Sequence, residues 1–221
     1  MADKNYCMSS YLAFRYIEDD AKNFYEGTRH QNIVPIPERE RRSVTTAEEI
    51  GRAIGEQLSR IKGEKTGLLL SGGMDSAILA SYMKHCDAYT FRFLNGAYQS
   101  EELHRAEFFA QYNHMRLHYV DINWDATVEA HLVPVMQAKG APVHSIEPQL
   151  RQAAAQAKQD GVTMLVIGES SDLIFGGMDQ LLSRDWTVAE FQRRYLFTQP
   201  AEVLVDAVDM GYLFERYRCG G

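Results

Sequence analysis

The chain has 221 residues, with 23 lysines and arginines against 30 aspartates and glutamates, which gives a formal net charge of -7. Hydrophobic residues make up 45% and charged residues 24%, a composition that is typical of a folded globular protein and excludes a largely disordered chain. The apolar runs are only long enough for strands, so no membrane span is predicted, and the acidic balance argues against nucleic-acid binding.

The N-terminal forty residues carry few clear structural signals. The first residues contain no apolar segment of the kind that directs secretion. Residues 11–16 fit either a short strand or a short helix. Cys7, Cys86 and Cys219 are far apart and lack metal-ligand spacing. We therefore expect free thiols in a reducing compartment, and a cytoplasmic protein.

Beyond this segment the chain alternates between helical and strand patterns. Thr46 and Glu49 have the spacing of a capping box and predict the start of a helix, which Gly63 can end. Strands are then predicted over 67–70, 88–93, 116–121 and 162–167, and helices over 76–84, 101–111, 125–139, 149–159 and from 187 to the end. Alternation of this kind favours βαβ units, so we predict an α/β fold with a parallel sheet flanked by helices.

The segment Ser71-Gly72-Gly73-Met74-Asp75-Ser76 lies between a predicted strand and a predicted helix. A helix N-terminus offers unpaired backbone N–H groups and a partial positive charge, so it can bind an anion. Gly72 and Gly73 let the backbone approach a phosphate closely, and the Ser71 and Ser76 hydroxyls add donors. Asp75 would repel a phosphate unless a cation lay between them, which points to Mg²⁺. The segment matches neither a Walker A loop nor a dinucleotide fingerprint.

This loop resembles the SGGxDS loop of the N-type ATP pyrophosphatases, which include asparagine, GMP, NAD and argininosuccinate synthetases and tRNA-modifying enzymes. The resemblance implies a HUP-like fold and cleavage of ATP between its α- and β-phosphates, which releases pyrophosphate and leaves an adenylated substrate. ATP and Mg²⁺ are the implied cofactors. Ser71, Gly72, Gly73 and Ser76 would hold the pyrophosphate.

A second motif, Gly168-Glu169-Ser170-Ser171-Asp172-Leu173-Ile174-Phe175-Gly176-Gly177, follows another predicted strand. Ligands gather at the carboxyl ends of parallel strands, so both loops are expected to face one crevice. The segment resembles the GEGSDExFGG motif of the asparagine synthetase C-terminal domain. The resemblance implies that Asp75 and Asp172 bind Mg²⁺. It also implies that Glu169 lies near the reacting acyl centre, where it binds or deprotonates the nucleophile.

The likeness to asparagine synthetases extends over about residues 11–180. It implies that the backbone around Leu69 and Phe93 contacts adenine and that Gly168 belongs to the ATP site. Three segments are predicted: a linker-like N-terminal segment over 1–43, the ATP pyrophosphatase domain over 44–185, and a helical C-terminal extension over 186–221.

Two departures from the family pattern shape the functional prediction. Glutamine-dependent asparagine synthetases carry a catalytic cysteine directly after the first methionine, whereas Ala2 stands here. No lysine follows Gly177, where the family has a lysine that stabilises charge during adenylation. We therefore expect a chain without its own glutaminase domain, which uses ammonia, an amine, or ammonia from a separate amidotransferase or carrier subunit. The sequence leaves a homo-oligomer open.

The sequence thus predicts an ATP-dependent ligase that adenylates a carboxylate and transfers the acyl group to ammonia or an amine. Two alternatives remain open. One is a pyrophosphatase of the same superfamily with a different acceptor, in thiolation or nucleobase modification. The other is a non-catalytic ATP-binding or scaffolding subunit, which the missing lysine suggests.

Overall fold

The computed structural model describes residues 2–31, 34, 36–95, 100–169, 171 and 184–218. By its contacts the chain divides into two compact units. One contains the described parts of Met1–Val34, Leu132–Ser145 and Asp172–Gly221, and the other contains those of Pro35–His131 and Ile146–Ser171. The segment boundaries at 43/44 and 185/186 stay a prediction.

The helices and strands of the described residues alternate through the middle of the chain. The helices are α1 (Lys4–Phe14), α2 (Ala47–Ser59), α3 (Met74–Tyr82), α4 (Ser100–Tyr112), α5 (Trp124–Lys139), α6 (Ile146–Gln159), α7 (Val188–Tyr195), α8 (Pro200–Val203) and α9 (Gly211–Arg218). The strands are β1 (Thr66–Leu69), β2 (Asp87–Phe93), β3 (Arg116–Ile122) and β4 (Met164–Val166), and a 3-10 turn covers Glu38–Glu40. None of the described helices is both long and apolar enough to cross a membrane.

The four described strands form one parallel sheet in the order β3-β2-β1-β4. Leu68 of β1 is in register with Ala88 of β2 on one side and with Val166 of β4 on the other. The predicted α/β architecture, a parallel sheet flanked by helices, is confirmed.

Helices cover both faces of the sheet because successive strand residues point to opposite faces. Leu68 and Leu70 belong to one apolar cluster, which includes Ala80 of α3 and Ala106 of α4. Leu69 packs against the cluster on the other face, whose buried members are Tyr89, Val120, Ile122, Ala153, Ala157 and Val162. This three-layer packing fixes the carboxyl ends of β1, β2 and β4 along one edge of the sheet.

The predicted start of α2 is confirmed in detail. The Glu49 N–H donates to the Thr46 hydroxyl over 3.2 Å, and the Thr46 N–H donates to the Glu49 carboxylate over 3.3 Å. Each side chain therefore satisfies a backbone donor that the helix itself cannot pair, which is the purpose of a capping box.

The structure decides between the alternatives at one terminal segment and corrects the other. Residues 11–16, whose pattern fits either a strand or a helix, contain the end of α1, which stops at Arg15 in a left-handed conformation with φ 66°. The continuous helix predicted from residue 187 is instead three helices. Pro200 begins α8 because proline has no N–H with which to continue a preceding helix.

The unit that contains both ends of the chain has a core of its own. Its buried apolar residues are Tyr6, Cys7, Ala13, Ile17, Phe24, Ala141, Met210 and Leu213. The rings of Phe14 in α1 and Phe214 in α9 pack with their centroids 5.6 Å apart. Tyr195 of α7 also contacts Phe214, edge to face. The N-terminal helix is thereby joined to the C-terminal helices within one unit.

Candidate functional site

The loop between β1 and α3 presents the open end of a helix. Gly73 is the N-cap residue of α3 and provides no side-chain cap. The backbone N–H groups of the first helical turn are then available to an anion, and the helix dipole favours negative charge there. Asp75, in this same turn, is half-buried.

Two serine hydroxyls shape the loop from inside. The Ser71 N–H donates to the Ser76 Oγ over 3.2 Å, and the Ser76 hydroxyl donates to the Gly73 carbonyl oxygen over 3.1 Å. Ser76 is only 4% exposed, whereas Ser71 is exposed. The structure therefore places Ser76 in support of the loop, and Ser71 where an incoming phosphate can reach it.

Gly72 is required by the packing of the loop against α4. Its φ is +81°, in the left-handed region, and a Cβ there would lie 2.3 Å from the carbonyl oxygen of Glu102. The Arg105 Nε–H donates to the Gly72 carbonyl oxygen over 3.2 Å. Gly73 differs, because its φ is -80° and a Cβ would meet only the Ser71 Oγ at 3.3 Å. Sequence reasoning missed Arg105, since an arginine on an amphipathic helix carries no motif.

The loop after β4 lies directly against the loop between β1 and α3, residues 70–73. A Cβ on Gly168 would lie 3.3 Å from the Ser76 backbone nitrogen. The Ser171 hydroxyl donates to the Asp75 Oδ2 over 2.6 Å, across 96 residues of sequence. The structure thus brings the two motifs together. Ser171 was absent from the predicted site residues, although its place in the second motif was a signal that could have found it.

The remaining predicted site residues are placed as follows. Leu69 and Phe93 lie at the carboxyl ends of the neighbouring strands β1 and β2, half-buried against the same apolar cluster. Glu169 is exposed on the loop after β4. Asp172 lies outside the described residues, so its predicted role is carried by the sequence alone.

The Asp75 carboxylate fits a Mg²⁺ ligand. Mg²⁺ prefers carboxylate and phosphate oxygens, and Ser171 holds one carboxylate oxygen with a neutral donor that leaves the negative charge in place. Within the described ranges no group of three or more His, Cys, Asp or Glu side chains is gathered as a metal cluster. Mg²⁺ bound with nucleotide usually takes oxygen ligands from the phosphates as well as from carboxylates.

A second charged cluster lies at the opposite, amino edge of the sheet, on residues that begin the strands. Asp87, with a side chain only 7% exposed, accepts from the Arg116 Nε–H over 2.6 Å and lies 2.8 Å from the His118 Nε2. Burial alone would raise the pKa of Asp87, but the hydrogen bonds and charges of Arg116 and His118 outweigh it and lower that pKa. The Tyr89 hydroxyl donates to the Asp160 carboxylate over 2.9 Å.

Cys86, beside this cluster, is held as an unreactive thiol. Burial raises the pKa of the Cys86 thiol to about 11, and the neighbouring Asp87 charge acts in the same direction. A thiol with so high a pKa is almost fully protonated at neutral pH and is a poor nucleophile. Cys86 is therefore not assigned a catalytic role.

Comparison with known families matches most of the chain to one family. The family model described as Asparagine synthase matches residues 45–217. A protein of Methanocaldococcus jannaschii named "Putative asparagine synthetase (glutamine-hydrolyzing) 1" is 26% identical over 176 residues. That alignment covers 73% of this chain but 30% of the relative, so the chain spans less than a third of the relative's length.

Solved structures to which the chain is similar include two synthetases, each of low sequence identity. NMN synthetase from Francisella tularensis is 16% identical, with a TM-score of 0.40 over 55% of this chain and 54% of that one. Glutamine-dependent NAD+ synthetase from Acinetobacter baumannii, in complex with ADP, is 18% identical, with a TM-score of 0.42 over 66% of this chain and 29% of that one. Both scores are below 0.5, so the fold is assigned from the strand order and the family match.

Proposed function

Because the chain belongs to the asparagine synthase family, we propose that it adenylates a carboxylate with ATP and passes the acyl group to ammonia or an amine. It is an asparagine synthetase-like enzyme, of a family of ATP-dependent amide-forming synthetases. The main support for the proposal is the contact between the two motif loops. Gly168 packs against the backbone of Ser76, and the Ser171 hydroxyl donates to the Asp75 carboxylate. This contact brings an anion-binding helix end and acidic residues to one edge of the sheet.

The reaction has two steps, each with a balanced exchange of groups. A carboxylate oxygen attacks the α-phosphorus of ATP, and pyrophosphate leaves, which gives an acyl adenylate. The nitrogen nucleophile then attacks the acyl carbon, and AMP leaves with the former carboxylate oxygen. Adenylation is needed because a free carboxylate is unreactive towards amines, whereas AMP is a good leaving group.

The loop between β1 and α3 provides the binding site for the pyrophosphate half of ATP. The open first turn of α3 would contribute backbone N–H groups, Gly72 and Gly73 would let the backbone approach the phosphates closely, and the exposed Ser71 would contribute its hydroxyl. The buried Ser76 would act through the shape of the loop. Leu69, Phe93 and Gly168 are proposed to line the remainder of the nucleotide site.

Asp75 and Asp172 are the proposed ligands of Mg²⁺. The ion, when bound, would neutralise phosphate charge and polarise the phosphate oxygens. The position of Asp75 in the first turn of α3 supports this role, as does the hydrogen bond that its carboxylate accepts from the Ser171 hydroxyl. Glu169 is proposed to receive a proton from the attacking nitrogen, since an ammonium must lose a proton before it is nucleophilic.

The source of nitrogen follows from the sequence prediction. Free ammonia, an amine, or ammonia from a separate amidotransferase or carrier subunit would serve as the nitrogen donor. Free thiols at Cys7 and Cys86 support a reducing, cytoplasmic compartment.

The first test is calorimetric titration of ATP into the purified chain, with and without Mg²⁺. We expect Mg²⁺-dependent binding that Asp75→Ala and Asp172→Ala each weaken while the fold stays intact. Asp206→Ala, which removes the same charge from an exposed turn, is the matched control and should bind as wild type does. Wild-type affinity in both site variants would show that the metal ligands are wrongly assigned.

The second test measures AMP release over a panel of carboxylic acids with ammonia or amines. AMP formation that depends on both an acid and a nitrogen donor supports the ligase. Mg²⁺-dependent ATP binding without AMP formation over a broad panel would favour a non-catalytic ATP-binding subunit. AMP formation that depends on a sulfur donor or a nucleobase would favour a different acceptor.

A further inference from the structure

The peptide unit between Gly72 and Gly73 is fixed by hydrogen bonds at both ends. Its carbonyl oxygen accepts from the Arg105 Nε–H over 3.2 Å, and its N–H donates to the Ser71 Oγ over 3.3 Å. In a trans peptide the C=O and N–H groups point in opposite directions. Arg105 therefore keeps an oxygen dipole turned towards α4 and away from the side on which the loop would receive a phosphate.

The loop lies so close to α4 that this contact is built into the packing. An added Cβ at Gly72 would meet the Glu102 carbonyl oxygen at 2.3 Å, the Ala106 nitrogen at 3.1 Å and the Arg105 Cβ at 3.2 Å. The Arg105 side chain therefore extends from α4 at the point where the helix contacts the loop. Small movements of its side chain would be transmitted directly to the loop.

The charge of Arg105 is only loosely paired. Its Nη1 lies 3.7 Å from the Glu101 Oε2, while the Arg105 side chain is 50% exposed and that of Glu101 is 88% exposed. A pair so exposed is weakly bound, and the guanidinium keeps most of its positive potential. This potential lies next to the loop that would receive pyrophosphate, the most negative part of ATP.

We propose that Arg105 is a positioning residue for the pyrophosphate half of ATP. It orients the Gly72–Gly73 peptide, and its charge favours the polyphosphate bound on that loop. The inference rests on the proposed function, since it requires that the loop binds the β- and γ-phosphates.

The test is a comparison of three ligands on the same variants by calorimetry: Mg-ATP, Mg-pyrophosphate and AMP. In Arg105→Met, which keeps the apolar stem, we expect about tenfold weaker binding of Mg-ATP and of Mg-pyrophosphate, with AMP affinity unchanged. Arg105→Lys should recover most of the lost affinity, because an ammonium can again donate to the Gly72 carbonyl. Arg52→Met removes the same charge from the surface of α2 and should leave all three affinities unchanged.

Several results would overturn the assignment of Arg105. If Arg105→Met bound Mg-ATP and Mg-pyrophosphate within twofold of wild type, Arg105 would not position the pyrophosphate half of ATP. If all three ligands lost affinity equally, the substitution would have damaged the unit as a whole and the role of Arg105 in phosphate binding would be rejected. If Arg105→Lys bound as weakly as Arg105→Met, a cationic donor at this position would be excluded. Failure of the wild type to bind Mg-ATP and Mg-pyrophosphate would instead reject the proposed function, so the two failures are distinguishable.

Discussion

The two edges of one parallel sheet use polar residues in different ways. At the amino edge, Arg116 and His118 both bind Asp87, and Tyr89 binds Asp160. At the carboxyl edge, the polar groups of the two motifs lie on glycine-containing loops, where the first turn of α3 has no side-chain cap. The carboxylates at the amino edge are bound by charged or hydroxyl side chains of the protein, whereas the motif loops at the other edge present donors and a carboxylate at a helix end.

This difference between the edges indicates at which edge of the sheet a ligand would bind. Paired charges at the amino edge stabilise strand starts and need no ligand, so their removal should affect folding. The exposed side chains of the loops at the carboxyl edge contribute little to the core, so changes to them should affect binding first. Mutations at the two edges should therefore change the free energy of unfolding and the affinity for nucleotide separately.

The largest effect is expected where loop geometry and packing coincide, in Gly72→Ala. A side chain at φ +81° is strained, and its Cβ would overlap the Glu102 carbonyl oxygen. Strain of about 1–2 kcal/mol and overpacking of about 1–3 kcal/mol add to a loss of about 2–5 kcal/mol in the free energy of unfolding. Mg-ATP binding should be lost together with it, as urea denaturation and calorimetry would show.

Gly73→Ala is the matched control for this variant. The residue has φ -80° and ψ 165°, which an alanine adopts without strain, and its Cβ would meet only a serine side chain. We expect its free energy of unfolding to stay within about 1 kcal/mol of wild type. If both variants were equally stable, the contact of the loop with α4 would not be what fixes Gly72.

The amino edge is tested by Asp87→Asn. At pH 7 we expect a loss of about 1–3 kcal/mol in the free energy of unfolding, because a buried carboxylate with two partners is removed. The folded-state pKa of Asp87 is lowered, so its contribution is complete above the unfolded pKa of about 3.9 and is lost as pH falls through the folded pKa. The difference between variant and wild type in urea denaturation should therefore shrink below about pH 4.

Asp121→Asn provides the contrast on the same sheet. Asp121 pairs with Arg92, the two side chains are 45% and 44% exposed, and the hydrogen bond from Arg92 lowers the pKa of the carboxyl. An exposed pair contributes about 0–1 kcal/mol, so its loss should be smaller than that of Asp87. Weakened Mg-ATP binding in Asp87→Asn, with unchanged stability, would contradict the division of roles between the edges.

The sequence predicted what is determined locally. The capping box of α2 and the helix after Ser71-Gly72-Gly73 depend on residues within one turn of each other, and both are present. The bond from Ser171 to Asp75 depends instead on β4 lying beside β1, an arrangement that no local pattern specifies. The orientation of Arg105 likewise depends on how closely α4 approaches the loop.

The smallest effect is expected in Ser171→Ala, which removes the hydrogen bond between the two motif loops. The Asp75 carboxylate would lose the donor that holds its Oδ2 over 2.6 Å, while most loop packing would remain. We expect Mg²⁺-dependent ATP affinity to fall about three- to tenfold, with the free energy of unfolding changed by less than about 1 kcal/mol. Ser81→Ala, which removes a hydroxyl bonded locally to the Ile78 carbonyl on α3, is the control and should change neither quantity by more than a small amount. Because a carboxylate that is free to rotate loses affinity only for ligands that need the metal, AMP binding without Mg²⁺ should be the same in wild type and Ser171→Ala. Weaker AMP binding in that variant would mean that Ser171 stabilises the loop itself and does not act through Asp75.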